Sequence, residues 1–500
     1  MSRVTRWYDY ITFNIYYLGL TTLSQTNGIV IPLLVEHFMG SEQKGTYFGI
    51  YRLWTLMMAL LAQAFFGMLS DRSRLRWGRR RPFIFTGTLL DVVFVAAIAL
   101  TAGLAGYSLD GGQNAFGFWL MFGIAVLLQL SSNVAHSAQQ GVMPDLVPEE
   151  KRGRFSAVKA MLELPVPLIL VALVIGPIFK SEGLSFAAKI AAGMAVAMGV
   201  VLLSMGIAMF IPEKRREEAP PPLDWQPFLR LLAMTAVFTL IILGTGWLSN
   251  QVQSLLASIA SLPGLMLVMG LVGLAGMAIS VGLGVWVSVR LSVGGEAAKR
   301  YPSFTWWVVN RLAFLVGATN LSTFVVYYFQ ARLGYEKTEA ASPAFMLQLF
   351  VGVFILLSAL PAGWLSDRFG KKRMAMISGV IGAIGTAVAL SVPSLPVIYV
   401  GGSIIGIATG LFFTANWALG TVLVPKEEAG RYLGISNLAG AGAGAVGAYI
   451  GGPIADFVSA RGAALTGTQG LGYMLLFGIY GVMFLLSTLA LLRVKEPARA

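Results

Sequence analysis

The sequence predicts an all-α integral membrane protein: two six-helix bundles with two extra central helices between them, about fourteen spans in all. Three observations carry this. Hydrophobic residues make up 56% of the 500-residue chain and charged residues only 12%, against roughly 45–50% and 25% in a soluble domain. So few charges cannot cover a protein of this size in water. Apolar runs of about 20 residues, the length that crosses the hydrocarbon core, recur along the whole chain. Lys and Arg collect in every second connection between those runs.

The runs lie at 11–34, 47–70, 82–104, 118–143, 155–179, 187–211, 228–250, 265–290, 303–330, 345–366, 373–392, 397–423, 432–456 and 471–493. With the N-terminus placed inside, the inner connections hold 28 of the 36 Lys and Arg, and the outer ones hold six: Lys44, Lys180, Lys189, Arg332, Lys337 and Arg461. Arg52 and Arg311 lie within spans. Positive charge accumulates on the cytoplasmic side, and a miscounted span would scramble the alternation beyond it. The asymmetry therefore supports fourteen spans with both termini cytoplasmic. The first run continues past Thr21 without a small-residue cleavage site, which makes it an uncleaved helix. At 212–227 charge and proline collect into a cytoplasmic linker. This divides the chain into an N-terminal bundle (1–211), the linker, two inserted helices (228–300) and a C-terminal bundle (301–500).

Composition also excludes functions. A net charge of +13 can mark a nucleic-acid binder, but here the basic residues sit in short clusters between apolar runs, with no water-exposed basic face. There is no cysteine, hence no disulfide and no thiolate metal site, and two histidines, His37 and His136, do not make a multi-histidine metal centre. No Gly-x-x-x-x-Gly-Lys-Ser/Thr phosphate loop occurs. Neither an enzyme nor a cofactor is expected, and any uphill transport must draw on an ion gradient.

The chain repeats itself. Gly67-Met-Leu-Ser-Asp71-Arg72 recurs as Gly363-Trp-Leu-Ser-Asp367-Arg368, each at the inner end of a span. Gly19-Leu-Thr21-Thr-Leu23-Ser24 recurs as Gly317-Ala-Thr319-Asn-Leu321-Ser322. Leu146-Val-Pro148 with Gly153-Arg154-Phe155 recurs as Leu423-Val-Pro425 with Gly430-Arg431-Tyr432. Three matches in one order put the second repeat's start at the ninth span. Parallel six-helix repeats build one large transporter fold.

The repeated pattern Gly-x-x-x-Asp-Arg-x-Gly-Arg/Lys-Arg/Lys resembles the signature of the major facilitator superfamily. The second copy fits with Gly363, Asp367, Arg368, Gly370, Lys371 and Lys372. The first is expanded to Ser70-Asp71-Arg72-Ser-Arg-Leu-Arg76-Trp77-Gly78-Arg79-Arg80-Arg81-Pro82. That form resembles the sucrose/proton symporters and, more distantly, the glycoside–pentoside–hexuronide:cation symporters. The resemblance implies alternating access and a solute cavity lined by spans 1, 4, 9 and 12. It makes Asp71, Arg72, Arg79, Asp367, Arg368 and Lys371 cytoplasmic gate elements, joined by Arg154 and Arg431 from the next inner loops. An Asp at a helix end beside Arg forms a charge-assisted pair that can tie neighbouring helices.

Charges inside spans are costly and are functional candidates. Asp91 lies near the middle of span 3, Glu163 in span 5 two residues before Pro165, Arg52 in span 2 and Arg311 in span 9. In general a carboxylate in a low-dielectric surrounding can exchange a proton near neutral pH, which suits Asp91 and Glu163 to ion coupling, with Arg52 and Arg311 as the further candidates by their place inside spans; the alternative is a buried salt bridge or a snorkelling Arg. Span 4 carries Gln129, Asn133, His136 and Gln140 on one helical face. With Thr21 and Gln25 of span 1, Asn320 of span 9, and Asn416 and Trp417 of span 12, this polar set suits a neutral polyol, the Trp face stacking on a sugar ring. The alternative for each is an interhelical hydrogen bond.

Two departures bear on coupling. Sucrose/proton symporters carry an acidic residue in the fourth helix, and span 4 has none, with Gln129 near that place. Melibiose-type carriers bind their cation through Asp in the second helix, and span 2 has no acid before Asp71. Coupling then falls to Asp91 or Glu163, or the chain is a uniporter. The expected function is proton-coupled symport of a sugar, a disaccharide or glycoside, by a monomer in an inner or plasma membrane. The rivals are a carrier of the same fold for a different, amphipathic solute, and a non-transporting receptor or assembly factor.

Overall fold

The computed structural model describes residues 6–108, 112–213, 225–255, 261–423, 429–468 and 470–495, without the side chains of 149, 297, 429–434, 436 and 437. Among the described residues, thirteen helices are long and apolar enough to cross a membrane, and a bent pair counts as a fourteenth. They are α1 Asp9–Met39, α2 Lys44–Asp71, α3 Arg81–Thr101, α4 Ala115–Leu146, α5 Arg152–Lys180, α6 Phe186–Ala208, α7 Gln226–Leu255, α8 Leu262–Val293, α9 Pro302–Thr323 with Val325–Leu333, α10 Ala341–Phe369, α11 Lys371–Ser391, α12 Leu395–Leu423, α13 Ala429–Thr466 and α14 Leu471–Leu492. In hydrocarbon every backbone amide must bond within its own segment, which is why the apolar runs become helices. The protein is an all-α, multi-pass membrane protein. Of the expected linker, 214–224 lie outside the described residues.

Helix ends follow local chemistry. The Asn114 side chain accepts from the Gly117 amide at 2.9 Å and so caps α4. Prolines 82, 263 and 302 sit in the first turns of α3, α8 and α9, where the missing N–H has no helical partner to lose. Two helices differ from the single uninterrupted runs the sequence predicts. α5 breaks at Leu164, resumes at Pro165 and then passes through a π-helical turn at Val171–Ile175; Pro165 has no N–H for the ladder. α9 bends by 60° between Thr323 and Val325 without a proline. There Thr319, Asn320 and Thr323 each donate to the carbonyl four residues back, at 2.6, 2.9 and 2.8 Å, and such back-bonding bends helices.

The chain forms two compact units, Met1–Phe38 with Met58–Phe228, and Met39–Met57 with Leu229–Ala500. In the first unit α3 packs closely on α4, with Gly87 against Ala135. The start of α2 belongs to the second unit because it crosses α13 backbone to backbone. A Cβ on Gly452 would overlap the Gly45 carbonyl. At the crossing the buried Asp456 accepts from the amides of Gly45 (3.0 Å) and Thr46 (2.7 Å) and from the Tyr473 hydroxyl (2.9 Å). A carboxylate here caps the N-terminus of α2 from a distant helix. α7 and α8 also belong to the second unit. Their Thr245 and Ser280 hydroxyls lie 2.6 Å apart, and Gly273 of α8 sits against Ile454 and Ile479.

Candidate solute and coupling site

In the first unit Asp91 of α3 is fully buried. Its Oδ1 accepts from the hydroxyls of Ser131 and Ser132 on α4, the latter at 2.9 Å. Its Oδ2 is buried with no hydrogen-bond partner. One turn away Thr88 bonds the Tyr16 hydroxyl of α1 at 2.8 Å. Ser131 and Ser132 escape the sequence reading, because two serines in an apolar run look like packing residues.

A second polar group joins α1, α2, α4 and α5. Gln63 donates to Gln140 at 3.1 Å, and the Gln140 amide bonds His136 Nε2 at 3.0 Å. The His136 ring stands edge-on to Tyr17, with centroids 6.3 Å apart. Lys159 Nζ lies 4.4 Å from the Tyr17 ring centroid and 3.6 Å from Glu163 Oε2. Glu163 is therefore paired within its own helix, and its side chain is 40% exposed. Lys159, Gln63 and Tyr17 are members that sequence reasoning missed. Lys159 reads as one more basic-loop residue until the helix turns it inward. Of the predicted span 4 stripe, His136 and Gln140 join the cluster. Asn133 is buried and donates to the Gln129 carbonyl of its own helix at 2.7 Å. Gln129, Thr21 and Gln25 are half-buried.

In the second unit three predicted residues come together. Arg311 Nη1 donates to Asn416 Oδ1 at 3.0 Å, and its guanidinium lies 5.6 Å from the Trp417 ring centroid. Asn416 is fully buried and in turn donates to Asn310 Oδ1 at 2.7 Å, and Asn310 donates to the Ser487 carbonyl at 2.8 Å. Asn320 stands apart. It is fully buried and donates to the Ala443 carbonyl of α13 at 3.0 Å, which makes it an interhelical link. Arg52 lies beside Gly444 of α13, and its Nε is buried without a partner.

The basic loops form a third arrangement. Asp71 accepts from Arg79 at 2.8 Å and pairs with Arg80 at 2.5 Å. Arg80 also reaches Asp145 at the end of α4 (2.9 Å) and the Ser70 hydroxyl (2.6 Å). Only 4% of the Arg80 side chain is exposed, so it is the centre of the network. Glu213 accepts from the amides of Arg80 (2.9 Å) and Arg81 (3.0 Å), capping α3 from the far end of the first repeat. Gly78, at φ +112°, allows this approach, since a Cβ there would lie 2.7 Å from Glu213 Cβ. Arg154 is exposed, and it is Asp145 that enters from the neighbouring helix end. Arg72 is half-buried. In the second copy Arg368 lies 5.3 Å from the Trp364 ring centroid, and Lys372 donates to the Val494 carbonyl at 2.7 Å. Asp367 is exposed and Lys371 half-buried. The Arg431 side chain lies outside the described residues.

This bundle superposes on a crystal structure of a D-xylose-proton symporter with a TM-score of 0.65 over 98% of both chains, at 16% identity. The chain has the major facilitator fold. Residues 312–500 match the family model of the Major Facilitator Superfamily. A crystal structure of the nucleoside transporter NupG matches the fold with a TM-score of 0.63, at 10% identity, over 97% of this chain and all (100%) of that one. The minor myo-inositol transporter IolF of Bacillus subtilis (strain 168) is 33% identical over 90 residues, which is 18% of this chain. That match spans 20% of the relative's length. Each of these similar proteins is named as a transporter or symporter.

Proposed function

We propose that this major facilitator chain is a secondary carrier that moves a sugar, a disaccharide or glycoside, together with a proton, working by alternating access. In this reading it is a monomer of an inner or plasma membrane with both termini cytoplasmic. The observation that carries the proposal is Asp91, a carboxylate buried in the bundle with one oxygen held by two serine hydroxyls and the other without a partner. An uncompensated charge in such a place is very costly, and a proton removes it. Solute binding and protonation then favour the same closed state, which couples the two flows. The relatives' names support the sugar: one is a D-xylose-proton symporter and one a myo-inositol transporter. Within the first unit, the Lys159–Glu163 pair and the Gln140–His136 pair supply polar contacts for the hydroxyls. The Arg80 network opens and closes with the cycle as the cytoplasmic gate, a role the resemblance gives also to Asp367, Arg368, Lys371 and Arg431.

The test is uptake of labelled sucrose, maltose, xylose and myo-inositol into proteoliposomes, with and without an inward proton gradient. The native chain should accumulate one of them only with the gradient. Asp91→Asn should reduce that uptake to its gradient-free level, while Glu163→Gln should keep the gradient response. Uptake indifferent to the gradient in the native chain would make it a uniporter. Loss of the gradient response in Glu163→Gln alone would move the proton site to Glu163.

A further inference from the structure

We infer that a cavity beside the bend of α9 is a binding site for a hydroxyl-bearing alkyl amphiphile. The inference goes beyond the carrier reading and does not rest on it. The cavity lies inside the second unit and measures about 490 Å³ with its mouth, within the range of ligand pockets, roughly 300–1,000 Å³. Five helices wall it: α9, α10, α11, α12 and α14. Leu321 and Ser322 stand in its wall before the 60° bend of α9, and Val325 stands after it. None of the residues assigned above to solute, coupling or gate lines it.

The lining selects the occupant. Leu347, Val351, Ile398, Ile405 and Phe477 make the wall largely apolar, and Ser322, Gln348 and Thr386 are its polar residues. Thr386 is committed, because its hydroxyl donates to the Gly382 carbonyl of its own helix at 2.9 Å. Gln348 is not, for its Oε1 is buried without a hydrogen-bond partner. An acceptor left unpaired in apolar surroundings is costly. Water answers it poorly, since a buried water needs about two to four polar partners. A charged solute, or one with many hydroxyls, would bury polar groups that these walls cannot match. One hydroxyl on a hydrocarbon body meets both demands. The hydroxyl donates to Gln348 once that side chain turns its oxygen inward, and the hydrocarbon covers the apolar wall. A molecule of this kind concentrates in the bilayer, next to its site.

The experiment is photolabelling of the full-length protein in phosphatidylcholine nanodiscs with octanol carrying a diazirine, the labelled residues being read by mass spectrometry. In the native chain the label should fall on 321–325 and 347–351, and excess octanol should displace it. Octane at the same concentration in the membrane should compete about tenfold less well, the worth of one hydrogen bond to a buried acceptor. Ser322→Phe, which puts a ring into the cavity, should abolish the label there. Gln348→Leu should keep the label and bring octanol and octane level. Label spread evenly over the lipid-facing helices, or unchanged in Ser322→Phe, overturns the site. Octane that competes as well as octanol in the native chain overturns the hydroxyl-bearing class. Should Ser322→Phe not fold, Val351→Phe fills the same cavity from α10 and decides the matter.

Discussion

After α2, the aspartate of the repeated motif is gripped by two arginines, Asp71 by Arg79 and Arg80 at 2.8 and 2.5 Å, and Arg80 carries the contact on to Asp145 of α4. After α10, the same six-residue pattern points its arginine at an aromatic ring, Arg368 over Trp364 at 5.3 Å, and its neighbour Lys372 holds the carbonyl of Val494. The motif itself does not decide this. The first copy sits in an expanded loop whose turn at Gly78 brings Arg80 back under the helix ends and lets Glu213 fix it there. The second copy turns at Gly370 directly into α11. One duplicated signature is thus followed by a loop that returns Arg80 to the helix ends in one half and by a direct turn into the next helix in the other.

Three substitutions sharpen or break that contrast. Arg80→Ala should have the largest effect, lowering stability by about 2 kcal/mol, less than for a wholly buried pair because Asp71 is half exposed. Thermal unfolding of the detergent-solubilised protein measures it, and an unchanged midpoint would mean that the network holds nothing together. Gly78→Ala should cost about 1–2 kcal/mol, from the positive φ and the approach of Glu213. If it costs nothing, the Glu213 contact is incidental. Arg368→Ala should cost about 0.5 kcal/mol, the worth of an exposed cation–ring contact. A loss as large as that of Arg80→Ala would erase the difference between the two copies.

Much of the scaffold is legible in the sequence, because apolar runs and alternating basic connections follow directly from the solvent. The paired motifs are legible for the same reason that they recur. The site is read less fully. Arg311 lies far in sequence from Asn416 and Trp417 and meets them because α9 and α12 face each other, which no local pattern states. Among six arginines between Arg72 and Arg81, nothing in the chain singles out Arg80 as the buried one. Asp145 and Glu213 read as a helix end and a linker start. Lys159 reads as topology. The α9 bend has no proline to announce it and depends on three side chains acting on the same turn.

The Glu213 cap bears on where this polypeptide could be severed. Glu213 grips main-chain amides of Arg80 and Arg81, so it belongs with the first six helices although it lies beyond the last of them. Two fragments divided between Glu213 and Trp225 would leave that cap on the N-terminal piece. Division ahead of Pro212 would strand the opening amides of α3 and send their acceptor away with the other fragment.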